Sequence, residues 1–290
     1  MNKNENSICF GLDGCCGGWI CAFIYNNQNQ LDFFNNYFQN NILDLNKFNK
    51  SEKEIIFFNV YSINEFWNLL KNALKLNENF QEINRLESLD LRIFIDIPIG
   101  LPDSQNNIRI CDKYARIRLT RKRSSSIFSV PCREAVYAEN FEIANQINKK
   151  IIKKGLSRQC WNICSKIKEV DEFLTQNPDL IDILIESHPE LCFWALNGGS
   201  ALQHYKKHPI GIFERINILK KYVSNIDEQI QIYFLKLRNS NIKSKLDDLI
   251  DAAVLAISAY LSPKQYIKDF SKKFTIDKKN FPMRIVHSPI

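Results

Sequence analysis

The chain contains no apolar run approaching the roughly 18 residues that a membrane span needs, and its opening residues, MNKNENS, lack the apolar core of a signal peptide. From those two absences a soluble, cytoplasmic protein is expected. No internal repeat occurs, so the chain is not an array of stacked units. Glycine is scarce, nine in 290 residues, and three of the nine fall in GCCGG at 14–18. The nine cysteines are an odd number with no repeated Cys-x-x-Cys pair. That excludes a disulfide framework and a four-thiolate zinc site, and fits reduced thiols buried as small apolar groups. Cys160 and Cys164, one helical turn apart, are read in the same way.

At 290 residues the chain fits one domain, residues 1–290, built on a single sheet. Such a length buries about 75% of the extended surface, so folding needs neither disulfides nor metal. With 39 Lys and Arg against 32 Asp and Glu, the formal charge of +7 suits an anionic partner such as nucleic acid. Asn-rich stretches at 26–50 and 77–84 carry no functional signal.

The apolar runs at 7–13 and 19–25 flank GCCGG and read as a strand hairpin, with a third strand expected at 31–38. Ser62 before INEFWNLLKNALKL, with Glu65 three residues on, predicts a capped helix. A fourth strand covers 91–97 and stops at Pro98. Helices are expected at 108–120, 134–153 and 157–175, forming a basic helical insertion over 105–178. A fifth strand, 181–186, is apolar at nearly every position, as a strand covered on both faces should be. Helices at 189–197, 209–222, 227–236 and 246–261 follow, the last apolar around most of its circumference. The expected class is α/β, a mixed sheet in the order β-β-β-α-β-…-β-…-α with helices on both faces.

Acidic residues punctuate these elements. Asp13 follows an apolar strand, with a turn-closing Asp-Gly as its simplest alternative reading. Asp96 interrupts IFIDIPIG, where a buried charge needs a partner or a metal. Glu186 ends the fifth strand; His188 beside it could move protons, and Glu190 reads as a helix-start residue. On the last helix, with Leu246 at zero and 100° per residue, Asp247, Asp251 and Asp248 fall at about 100°, 140° and 200°, away from the apolar stripe. The helix dipole accounts for Asp247 and Asp248 but not for Asp251, one turn further in. Carboxylates at strand ends that converge in space are what a two-metal phosphodiester site requires. The expected catalytic set is Asp13, Asp96, Glu186, Asp248 and Asp251, and the expected ligands of Mg²⁺ or Mn²⁺ are Asp13, Asp96, Glu186 and Asp251. The basic stretch 109–133, next to Ser124, Ser125 and Ser126, suits phosphate contacts. Expected substrate contacts there are Arg109, Arg116, Arg121, Arg123 and Ser125, joined by Lys166, Lys206 and Lys207 from elsewhere.

The series GLDGCCGGW, IDIPIGLPD, RICDKYAR, SSIFSVP with Arg133, IKEVD, ESHPELCFWALNGG, GIFER and DDLIDAAVLA resembles, in order and over nearly the whole chain, the family catalogued as domain of unknown function 429. The resemblance implies a ribonuclease H-like fold and a nuclease activity. It puts Asp13, Asp96, Glu186 and the DDLIDA acids at acidic motif positions. It also places Arg109, Asp112, Arg116, Ser125, Lys166, Glu169 and Asp171 at further polar ones. The chain departs from the usual Ser-Lys-Lys before GIFER, reading HYKK with Lys206 and Lys207 kept. The expected function is metal-dependent hydrolysis of nucleic-acid phosphodiesters. A non-catalytic nucleic-acid binder of the same fold, or an actin-like ATPase or sugar kinase using the Gly14, Gly17, Gly18 turn, are the alternatives.

Overall fold

The computed structural model describes residues 7–25, 53–74, 90–237 and 243–290. Strands β1 (Ile8–Cys15), β2 (Gly18–Tyr25), β3 (Glu54–Val60), β4 (Leu91–Ile95) and β5 (Leu184–Glu186) form one sheet in the order β3-β2-β1-β4-β5. β1 and β3 run antiparallel to β2, while β4 is parallel to both β1 and β5, so the sheet is mixed. The β1–β2 turn needs Gly17, whose φ of 90° lies in the left-handed region. The third strand expected at 31–38 lies outside the described residues. The strand paired with β2 is instead EIIFFNV at Glu54–Val60, buried at every position but Asn59. Such a run lacks the alternation by which a half-exposed strand announces itself.

Helix α1 (Ile63–Leu74) starts as expected: Ser62 Oγ accepts from Glu65 N at 3.1 Å, and the Glu65 carboxylate reaches back to Tyr61 N at 2.7 Å rather than to Ser62. Between β4 and β5 lie α2 (Ile110–Arg123), α3 (Arg133–Val136), α4 (Phe141–Ile152), α5 (Arg158–Trp161) and α6 (Cys164–Gln176). The helix expected over 134–153 is thus two, because Asn140 caps α4 by accepting from Ile143 N at 2.9 Å. The one expected over 157–175 also divides, at Asn162 and Ile163. After β5 come α7 (Pro189–Leu196), α8 (Pro209–Leu219), α9 (Ile226–Leu237), α10 (Leu246–Leu261) and α11 (Lys264–Ser271), the last unanticipated. The strand expected over 181–186 pairs only at its last three residues. A final segment lies along the β5 edge, Val286 N donating to Glu186 O at 2.9 Å.

Strand alternation divides the core in two. Phe10, Leu12, Trp19, Phe23, Ile93 and Ile95 point to one face and pack with α1 and α6. Cys9, Ile20, Ala22, Phe94 and Ile185 point to the other, under α10 and α7 to α9. The expected insertion, 105–178, is helical, but α6 belongs to the main core. Arg133 ties α3 to Asp171 of α6 at 2.8 Å and to Asp277 of the final segment at 2.6 Å. Helix α10 is buried continuously from Leu249 to Tyr260 and rests directly on β1. A Cβ added to Gly11 would stand 2.2 Å from Ala252 O and 2.3 Å from Ala256 N.

A candidate acidic cleft

The contact at Gly11 fixes what surrounds Asp13. Two residues further along β1, on the same face, the strand has advanced about 6.7 Å, which is four to five residues of helix. Because the following acids lie toward the start of α10, helix and strand run in opposite directions, and Asp13 meets Asp251 and Asp248. The strand continues two residues past Asp13, which pairs with Ile20, so Asp13 is not the turn residue of the hairpin. Asp96 N donates to Leu12 O at 3.0 Å, continuing the parallel register of β4 beside β1. Asp96 shares the alternation of Phe94 and therefore faces the α10 side with Asp13.

The same alternation sends Glu186 away. It is in register with Ile95, whose side chain lies in the opposite core, while Ile185 faces α10. The Glu186 carboxylate is taken up by Arg109 at 2.5 Å and by Ile99 N at 2.6 Å. Burial raises its pKa; Arg109 and the Ile99 amide oppose that. The fourth acid of the α10 side is instead Glu190, in the first turn of α7. Its Oε1 accepts from Arg215, and its buried Oε2 has no hydrogen-bond partner among the described residues.

Asp13, Asp96, Glu190, Asp248 and Asp251 line one cavity of about 540 Å³. Lys206 enters the same wall, its Nζ 2.5 Å from Asp251 Oδ2 and 3.7 Å from Asp247 Oδ2. Asp13 and Asp251 are 6% and 2% exposed, too enclosed for water to screen their charges fully. Burial, reinforced by Asp251 and Asp96, raises the Asp13 carboxyl well above the usual range. Burial likewise raises Asp96, against His188 and Lys206. Asp251 is pushed up to about 6 by burial, with Lys206 pulling the other way. Burial works against the Lys206 charge, but Asp251, Asp13 and Asp96 outweigh it and hold the ammonium above its ordinary range. Asp248 is raised by burial and caps α10, its Oδ2 accepting from Lys245 N at 2.8 Å.

Among the described residues no three His, Cys, Asp or Glu groups stand close enough to hold a metal ion. Lys206 supplies the positive charge in contact with Asp251 on this wall. The donors themselves, carboxylates from β1, the end of β4, α7 and α10 together with the unpartnered Glu190 Oε2, have the hard-oxygen chemistry that Mg²⁺ and Mn²⁺ take.

The same cavity is lined by Arg123, Ser125, Ser126, Gln159 and Lys166, with Tyr205 and His188 also on it. Lys166 lies 4.1 Å above the Trp19 ring, and Gly14 leaves room for its stem: a Cβ there would come within 2.9 Å of Lys166 Cδ. Burial lowers the Lys166 pKa, against Glu169, Cys15 and Asp13.

Other expected contacts lie elsewhere. Arg109 is consumed by Glu186 and by Asp112 at 3.5 Å. Arg116 donates to Ile127 O and Phe128 O, shaping the loop after α2. Arg121 and Lys207 are exposed and do not line the cavity. Glu190 is the acid that sequence reasoning passed over, because Ser187, Pro189 and Glu190 explain themselves as a helix start.

A family model described as Protein of unknown function (DUF429) matches residues 11–265, a span that contains every residue of this cleft. Neither the curated proteins nor the solved structures contain a match. Among the described residues no helix is long and apolar enough to cross a membrane.

Proposed function

We propose that this chain, which belongs to the DUF429 family, is a metal-dependent nuclease of ribonuclease H-like fold. The fold reading is supported by the strand order β3-β2-β1-β4-β5, with its antiparallel hairpin side, its parallel side and an acidic helix lying across the first strand. The functional reading rests on one observation: Asp13, Asp96, Glu190 and Asp251 line the same cleft as Arg123, Lys166, Ser125 and Ser126.

In this reading Asp13, Asp96, Glu190 and Asp251 would hold Mg²⁺ or Mn²⁺, with Asp248 fixing the start of α10. The cation would supply Lewis-acid polarisation of the phosphodiester and an acidified water. The protein's own groups do the rest. Arg123 and Lys166 offer the phosphate backbone positive charge, and the two serines offer neutral donors. Arg215 orients Glu190 through Oε1, leaving Oε2 for the cleft. His188 Nδ1 accepts from Glu190 N at 3.2 Å, so its ring proton sits on Nε2, 3.4 Å from Ser126 O.

The test is cleavage of labelled DNA and RNA by the wild-type chain and by Asp13→Asn, with Mn²⁺, with Mg²⁺ and with chelator. The expected outcome is cleavage that requires metal and falls to background in a folded Asp13→Asn. Salt-sensitive binding with no cleavage, unchanged by the substitution, would instead favour the non-catalytic binder.

A further inference from the structure

We infer that the cleft takes an unpaired strand of nucleic acid rather than a duplex, with Tyr205 at its mouth as the platform on which one base stacks. This rests on the nucleic-acid substrate of the reading above and names the form in which that substrate enters.

The first support is the depth of the acids and the lining above them. Asp13, Glu190 and Asp251 line the cavity yet are 6%, 6% and 2% exposed, so a phosphate that reaches them must enter its enclosed part. A duplex carries its phosphates on a convex surface and keeps its bases stacked inside, whereas an unpaired strand can bend inward and splay a base out. Phosphate contacts need only charge and hydrogen-bond donors, which Arg123, Lys166 and the serines offer. Ile97, Phe128, Ile163 and Tyr205 line the cavity as well, and that apolar surface suits the flat face of a base. Phe128 and Ile163 pack partly against the core, and Arg116 holds Phe128 by donating to its carbonyl at 2.9 Å.

The second support is Tyr205 itself. It lines the cavity while remaining 57% exposed, which puts it at the mouth. Among the described residues its ring stacks on no other and its hydroxyl has no hydrogen-bond partner. Its backbone, by contrast, is held on every side. Arg123 Nε donates to Leu202 O at 3.3 Å, and the Glu214 carboxylate accepts from Gln203 N at 3.0 Å and from His204 N at 3.1 Å. Arg215 Nη1 donates to His204 O at 3.2 Å, and His208 N donates to Tyr205 O at 2.9 Å. Helix α8 lies so close that a Cβ on Gly211 would collide with Tyr205 O. A free ring on a fixed loop costs little ordering when a base settles on it. At the next residue Lys206 reaches inward, its Nζ 2.5 Å from Asp251 Oδ2, so the loop turns a cation to the floor and an aromatic face to the mouth.

The experiment is fluorescence anisotropy of labelled single strands and of duplexes of the same sequence, in DNA and in RNA. It is run with chelator and with Ca²⁺, a cation that takes oxygen ligands as Mg²⁺ does. The wild type is expected to bind the single strand about fivefold or more tightly than the duplex in at least one of the two nucleic acids. Tyr205→Ala is expected to lose about fivefold or more of that affinity, the equivalent of one base stack, with duplex binding unchanged. Tyr205→Phe, which keeps the ring, should bind as the wild type does. A wild type that binds the duplex as tightly, or a folded Tyr205→Ala that binds the single strand unchanged, would overturn the inference; metal-dependent cleavage by the same preparation would leave the nuclease reading standing. Tyr205→Phe binding as weakly as Tyr205→Ala would put the contact on the hydroxyl and overturn the stacking platform. Tyr205-dependent binding of the single strand without cleavage in Mn²⁺ or Mg²⁺ would uphold the inference and overturn the nuclease. No binding of either form would overturn both.

Discussion

Two glutamates four residues apart show how one residue's place is decided by its neighbours. Glu186 and Glu190 each hold a buried arginine, Arg109 and Arg215 respectively. Removing a partner from such a pair costs about 3–5 kcal/mol, less when an amide keeps the hydrogen bond. Both Glu186→Gln and Glu190→Gln are therefore expected to lower stability, and melting temperature alone will not separate them. Mn²⁺ will. A cation at 100 times its Kd adds about 2.7 kcal/mol to the native state. That increment should survive Glu186→Gln and vanish in Glu190→Gln, read as the shift of the thermal transition on adding Mn²⁺. The reverse pattern would return Glu186 to the metal site. The sequence favoured Glu186 because a charge ending an apolar strand looks costly. Its register with Ile95, which turns it to the far face, depends on pairing between segments about 90 residues apart and has no local signature.

At the scale of elements, the site exists because α10 lies against β1. Its closeness requires Gly11, where strand backbone meets helix backbone without a side chain between. Gly11→Ala must push α10 outward, and overpacking of this kind costs about 1–3 kcal/mol or more. Since α10 carries Asp251, the same shift should weaken Mn²⁺ binding. The expected result is a lower urea midpoint with a smaller metal-linked gain; a variant within about 0.5 kcal/mol of wild type would mean that the helix packs less closely than described. Helix α10 was legible to the residue, since its acids fall on one arc and its apolar stripe is continuous. β1, β2 and β4 were legible to within two residues at their ends, and so was the start of α1, where local capping and alternation agree with the fold. β3 was not, being buried on both faces, nor was α11 or the final segment along β5. Asp13, Asp96 and Asp251 emerged because a carboxylate next to apolar residues is conspicuous. Lys206 was read as a substrate contact, because nothing in HYKK shows that the loop folds back onto Asp251.

Over the whole molecule, a chain of net charge +7 concentrates carboxylates in one cleft, and that choice has a thermodynamic signature. In the unfolded chain Asp251 titrates at its ordinary value of 3.8, and in the folded chain at about 6. Below pH 3.8 it is protonated in both states and contributes nothing to the difference between them. As pH rises from there to about 6, the folded chain keeps a proton that the unfolded chain has released, so stability falls. Above that window the whole cost is present, roughly 3 kcal/mol for a shift of about two pKa units. Asp13 and Asp96 are raised in the same direction and steepen the fall. A divalent cation acts oppositely, because it binds only the deprotonated carboxylates, and its stabilisation grows through the same window. The metal-free protein should therefore lose stability between about pH 4 and about pH 6, and Asp251→Asn should flatten that slope. Saturating Mn²⁺ should reverse the slope in the wild type but not in the variant. Urea midpoints measured across that range, with Mn²⁺ and with chelator, give all four slopes. A metal-free wild type whose stability rises as steeply as that of Asp251→Asn would mean that the cleft carboxylates are ionised at no cost, already neutralised by Lys206 and its neighbours.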